Sequence, residues 1–147
     1  MSDSRDIEDI KRCTCRIMRR TSRVVTKYYD KALKTSGLHA PQLAMLADIA
    51  GHENITISDL ASVTKMDQTT VTRNVEALRK KGYVNVRLDD EDSRRKCISI
   101  SESGRNAVKK AFPLWREAQN VLEEKLGAEK YEEFLNTLKI IQKLTED

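Results

Sequence analysis

Over the first third of the chain, Ile7, Ile10, Ile17, Met18, Thr21, Val24, Val25, Tyr28, Ala32 and Leu33 recur at helical spacing. The pattern predicts one long helix over residues 5–35, ended by Ser36-Gly37. Arg12, Arg16, Arg19, Arg20, Arg23 and Lys27 fall on its other face, either a solvated face or a binding stripe. Pro41 suits the first turn of a second helix, because its missing N–H has no intrahelical partner there. That helix turns Leu43, Leu46, Ala47 and Ile49 inward and stops near Gly51. A third helix starts at Thr56 as N-cap with Asp59 near N3, and buries Leu60, Ala61 and Val63. Lys65-Met66 forms a tight turn; Asp67 then caps a fourth helix running to about Lys80, closed by Gly82.

From Tyr83 to Ser101 the period changes from helical to alternating. Val84, Val86 and Leu88 are answered by Ile98 and Ile100 across a charged tip, the signature of a two-stranded ribbon. Such a ribbon buries little by itself and must lean on the helix pair before it. Ser101 caps a fifth helix bearing Ala107, Val108, Ala111, Leu114, Trp115, Ala118, Leu122 and Leu126, with Pro113 expected to bend it or weaken it locally. Gly127 separates a sixth helix with Tyr131, Phe134, Leu135, Leu138, Ile141 and Leu144. The expected fold is mainly α: a winged helix-turn-helix domain over residues 38–101 with a two-stranded wing. Residues 1–37 and 102–147 supply terminal helices whose apolar stripes need cover from one another or from a second subunit. A symmetric homodimer meets that need and also supplies two reading heads.

The 147 residues are 34% charged and 5% aromatic, the profile of one helix-rich folding unit. No apolar run reaches membrane-spanning length and the N-terminus is too charged for a signal peptide, so the expectation is a cytoplasmic protein with no membrane partner. The net charge of +4 says less than its distribution. Residues 65–81 set Lys65, Arg73, Arg79, Lys80 and Lys81 against Asp67 and Glu76, whereas the segment from Gly127 holds five carboxylates and three lysines. Basic charge therefore collects on the fourth helix, which favours a nucleic acid. Three cysteines make no disulfide framework, and no C-x-x-C pair or nearby histidine suggests a metal. His39 and His52 read as loop or cap residues. No Ser/His/Asp set, phosphate loop or carboxylate pair points to an enzyme, and no cofactor is implied.

On the fourth helix Val71, Val75 and Leu78 share the inward face, which leaves Gln68, Thr69, Thr70, Thr72 and Arg73 as an exposed front. Glutamine can pair with adenine, arginine with guanine, and threonine with phosphate or a thymine methyl. A merely solvated polar helix is the alternative. The ribbon beside it decides for double-stranded DNA: Asp92 is placed to pair with Arg94 and hold the tip, so that Arg94 or Arg95 projects into a minor groove. An ordinary charged hairpin is the alternative there.

The segment ISDLASVTKMDQTTVTRNVEALRKKGYV, the wing motif Asp92-Ser93-Arg94 and the helix entry Ile100-Ser101-Glu102-Ser103-Gly104 together resemble the MarR family of transcription regulators. The resemblance extends from Leu38 through the terminal helices. It implies a triangular homodimer with the fourth helix in the major groove and Asp92 and Arg94 as wing salt bridge and groove contact. It also implies release from DNA by a small phenolic or aromatic acid bound between the dimer helices and the reading unit. The function expected is a repressor bound to an inverted-repeat operator. Cys15, Ser22-Arg23, Thr26-Lys27 and Tyr29 are similar to the first helix of the family's organic-hydroperoxide-sensing branch, although Ala40 and Arg19 stand where aromatic partners are expected. A thiol switch using Cys13 or Cys15 is thus one alternative, and a winged-helix module that binds protein is another. On one helix those cysteines point about 200° apart and cannot bond to each other. Arg12, Arg16 and Arg19 favour a thiolate, yet both cysteines also suit a packed helix interface. Cys97 falls out of phase with Ile98 and Ile100 and is expected to face outward.

Overall fold

A computed structural model describes residues 2–146. Among the described residues, seven α-helices and three short strands follow one another: α1 (Ser2–Lys11), α2 (Thr14–Ala32), α3 (Ala40–Ala50), β1 (Ile55–Thr56), α4 (Ile57–Thr64), α5 (Gln68–Lys80), β2 (Val84–Leu88), β3 (Lys96–Ile100), α6 (Glu102–Leu126) and α7 (Ala128–Gln142). A single 3-10 turn, Lys34–Ser36, joins α2 to the loop before α3. The chain is mostly helical with a small antiparallel wing, as the periodicity predicts.

The first helix is two helices rather than one. Cys13, with ψ of 126°, leaves the helical region and caps α2. The Arg12 and Cys13 amides tighten onto Asp9 and Ile10, and the Arg16 guanidinium donates to the Lys11 carbonyl at 2.9 Å. These bonds satisfy groups that the break would strand. The apolar spacing hides the break because Ile10 and Ile17 stay in phase across it. The two cysteines therefore do not share a helix, and the phase argument that kept them apart does not apply.

The core gathers Leu33, Leu46, Ile49, Leu60, Val71, Leu78 and Ile98, all fully buried where α3, α4, α5 and the sheet meet. Two predicted core positions lie outside it. Val63 is 47% exposed, because Leu60 and Ala61 form the inward face of the short α4. Ala47 is exposed because α3 is apolar on two sides. Met45, Leu46 and Ile49 enter the core, while Ala40, Leu43, Ala44 and Ala47 line a cleft.

The ribbon has a third strand. The order is β1-β3-β2, all antiparallel, with Ile55 opposite Ile98, Val86 opposite Ile98 and Val84 opposite Ile100. Thr56 of β1 sits opposite Cys97, which lies out of phase with buried Ile98 as expected but is half-buried rather than fully exposed. Leu88, opposite Lys96 at the far end, is 56% exposed, since the ribbon outruns the core beneath it.

One junction locks the reading unit to the long helix. The Ser101 hydroxyl donates to Gly82 O at 2.6 Å and accepts from the Gly104 amide, while the Ser101 amide donates to Tyr83 O. A Cβ on Gly104 would lie 2.1 Å from Tyr83 O, so only glycine permits this approach. From there α6 stays helical through Pro113 to Leu126; the expected weak point does not interrupt it. Among the described residues no helix is long and apolar enough to cross a membrane.

Candidate nucleic-acid interface

α4 and α5 are set by two side-chain caps read correctly from sequence. Thr56 Oγ1 accepts from the Asp59 amide at 3.1 Å. Asp67 Oδ1 accepts from the Thr70 amide at 2.7 Å, and the Thr70 hydroxyl donates to Asp67 Oδ2 at 3.0 Å. The bond from the Thr70 amide, helped by the Thr70 hydroxyl and the charge of Arg73, holds the Asp67 carboxyl below its ordinary range. Between the helices Lys65 takes a left-handed conformation (φ 58°), which makes the turn tight without a glycine.

With Val71, Val75 and Leu78 buried, Gln68, Thr69, Thr72 and Arg73 are exposed together on the opposite face of α5. Thr70 is half-buried and its hydroxyl is committed to the cap. Thr72 donates back to Gln68 O at 2.8 Å, which leaves its methyl outward-capable and its oxygen a free acceptor. Toward the C-terminal end Arg79 grips Glu76 with two bonds of 2.8 and 2.6 Å. That bidentate contact keeps the Glu76 carboxyl below its usual range. Arg73 is different: among the described residues its guanidinium forms no ion pair.

At the wing tip, Asp92 Oδ1 accepts from both the amide and the Nε of Arg94, at 3.0 and 3.2 Å. The Arg95 amide donates to Asp92 O and the Asp89 amide to Arg95 O, which closes the turn. Asp89 in turn accepts from the Glu91 amide. Two of the four tip carboxylates are thereby tied into the turn. Arg94 keeps the terminal nitrogens of a side chain that is 90% exposed, and Arg95 is exposed beside it. Arg87 and Lys96, exposed on β2 and β3, add two further cations to the ribbon. Lys65 also pairs with Glu146 at 2.9 Å, a contact between residues 81 apart in sequence that no local pattern announces.

The second feature missed in the sequence is the cleft, about 460 Å³, between α2, α3 and α6. Its walls are Tyr29, Leu33, the α3 face already described, and Val108, Phe112 and Trp115 of α6. Tyr29 donates its hydroxyl hydrogen to Gln119 Oε1. Cys13 and Cys15 are both exposed. Among the described residues no three His, Cys, Asp or Glu side chains gather as metal ligands.

A model of the MarR family matches residues 36–95, the span from the end of α2 to the wing tip. The transcriptional regulator SarZ of Staphylococcus haemolyticus is 34% identical over 92 residues, 63% of this chain and 63% of that protein's length. The organic hydroperoxide resistance transcriptional regulator of Bacillus subtilis is 26% identical over 100 residues, 68% of each chain. Among solved structures, the transcriptional regulator MosR of M. tuberculosis in complex with DNA superposes with a TM-score of 0.78 at 34% identity, covering 90% of this chain and 98% of that one.

Proposed function

This chain belongs to the MarR family of DNA-binding transcriptional regulators, and from that premise we propose that it works as a homodimeric repressor, released from an inverted-repeat operator by a small ligand. One observation carries the reading. The unpaired Arg73 on the α5 face and the tethered Arg94 at the wing tip are the kinds of group that read base edges and a minor groove respectively. Gln68, Thr69 and Thr72 flank Arg73 in the major groove, Thr70 and Asp92 hold the two elements in shape, and Arg95 joins Arg94. Residues 38–101 form the reading unit; residues 1–37 and 102–147 join the two protomers.

Support for the dimer lies in the terminal helices. Ile10, Val24, Ile140 and Leu144 are each about two-thirds exposed or more, with Ile140 at 70% and Leu144 at 78%. Side chains of that size on three helices need a partner surface. The ligand's place is the cleft under α3, between the terminal helices and the reading unit, and the protein works in the cytoplasm. The thiol alternative has weaker support, because Ala40 and Arg19 stand where aromatic partners of the cysteine are expected. A protein-binding module leaves the exposed cations of α5 and the wing without a task.

In vitro selection of bound DNA tests the proposal directly. An inverted repeat with half-sites one helical turn apart, or a multiple of that, is the expected product. A pool that stays random, or a protein that sediments as a single chain, would refute it.

A further inference from the structure

The end of α7 comes back to the reading unit. Beyond Gln142 the chain turns, with the Leu144 amide donating to Ile141 O and the Glu146 amide to Lys143 O, each at 3.1 Å. These bonds set Glu146 beside the turn between α4 and α5, where its Oε1 accepts from Lys65 Nζ at 2.9 Å. The Lys65 ammonium, with Lys143 adding to it, holds the Glu146 carboxyl below its ordinary range. Both side chains are more than half exposed, so dissolved ions reach the pair and screen it.

Lys65 stands where a duplex would pass. In a helix-turn-helix the first helix crosses the sugar-phosphate backbone and the second enters the major groove by its N-terminal end. The turn joining them lies over phosphates. Lys65 ends α4 in that turn, just ahead of Met66 and the Asp67 cap of α5. Its place is fixed by the backbone, since the Met66 amide donates to Ala61 O at 3.1 Å and closes the turn behind it. Arg79 makes an instructive contrast. Its carboxylate partner, Glu76, belongs to the same helix and travels with it. The partner of Lys65 belongs to the terminal helices, so a movement between the two regions can make or break the pair. The ammonium carries one unit of charge, for which a carboxylate and a phosphate compete.

Resting on the reading of α5 as the helix that enters the groove, we propose that Lys65 is a DNA phosphate contact and that Glu146 masks it in the free protein. On binding, the phosphate takes the place of the carboxylate. The pair must open before Lys65 can neutralise a phosphate, so Glu146 lowers the affinity for any duplex. The exchange is also reciprocal: holding the end of α7 against the α4–α5 turn weakens DNA binding, and bound DNA releases the end of α7.

Phosphate contacts are indifferent to sequence, so the probe is a labelled, scrambled duplex of about 30 base pairs, followed by fluorescence anisotropy between about 50 and 200 mM salt. The full-length protein is used throughout. Lys65→Gln should weaken binding and lower the slope of log K against log salt by about one. Glu146→Gln should instead tighten binding about two- to fivefold at the low-salt end, and the gain should fade as salt screens the pair. In the double variant the gain should vanish, leaving the affinity of Lys65→Gln alone. A gain that persists without Lys65 would reflect long-range charge only and overturns the proposal. So does an unchanged salt slope in Lys65→Gln, or a Glu146→Gln protein that binds no tighter than the parent. A parent that binds no duplex at all removes the regulator reading together with this one, whereas a binding parent with any of those three results removes this one alone.

Discussion

Arg73 and Arg94 are both exposed arginines near the same surface, but they are held differently, and their loss should be felt differently. Arg73 stands free on α5, where a bidentate contact to a guanine edge needs only side-chain rotation. Arg73→Ala should weaken a selected operator by about 1–3 kcal/mol, roughly tenfold to a hundredfold, and barely change binding to a scrambled duplex. Gel-shift titration against both duplexes checks this; equal losses would remove the base-reading role. Asp67 offers a test on the protein alone. Its carboxyl sits below the ordinary range because the ionised form accepts from Thr70, so it stabilises the fold at neutral pH. That contribution is lost as pH falls through the depressed folded value, at the acid end of the carboxylate range. The urea midpoint of Asp67→Ala should therefore lie below the parent's at neutral pH and converge with it in acid. Residue-level chemistry was largely legible in the sequence: the caps at Thr56, Asp67 and Ser101 and the Asp92–Arg94 pair all follow from short spacings. Gln119 was not, since nothing local says that a glutamine in an amphipathic helix will be buried among two tyrosines and a glutamate.

At the scale of elements, the proposal divides the work of binding between the wing and α5. The wing tip is a hydrogen-bonded turn whose exposed arginines would carry charge to the backbone and groove, with little reach to base identity. Arg94→Ala is accordingly expected to lower affinity for matched and scrambled duplexes alike, and to reduce the slope of log K against log salt by about one. Titrations at several salt concentrations decide it. Periodicity located α3 to α7, yet it failed where an element is very short or its phase survives an interruption. β1 is only Ile55 and Thr56, too short to alternate, and it exists because β3 offers it an edge. The gap at Cys13 leaves the Ile10–Ile17 phase intact, so a hydrophobic count passes straight over it. The cleft face of α3 was hidden for another reason: alanines at 40, 44 and 47 look like filler in a sequence, whereas in the fold their smallness is the space.

For the whole molecule, the exposed apolar side chains of α1, α2 and α7 determine what a single chain can do alone. Replacing Ile140 and Leu144 together by glutamate should split the proposed dimer, because each would carry charge into the shared surface. Sedimentation should then report a single chain, with operator affinity falling toward that of one reading head. A variant that stays dimeric would move the interface elsewhere. Gly104→Ala should act on the fold itself, at a cost on the order of 3 kcal/mol, since the new methyl meets the backbone oxygen of Tyr83. Its urea midpoint is the measure.

That same close approach has a mechanical meaning. Because the Ser101 hydrogen bonds and the Gly104 approach fasten α6 to the base of the wing, the sheet, α5 and the first turns of α6 are joined as one arm. In the proposed dimer, two such arms would act as calipers whose opening is set where the terminal helices cross, far from the double helix they would measure. A tilt of a few degrees at that crossing would carry both tips out of register with successive grooves while leaving the contacts within each arm intact.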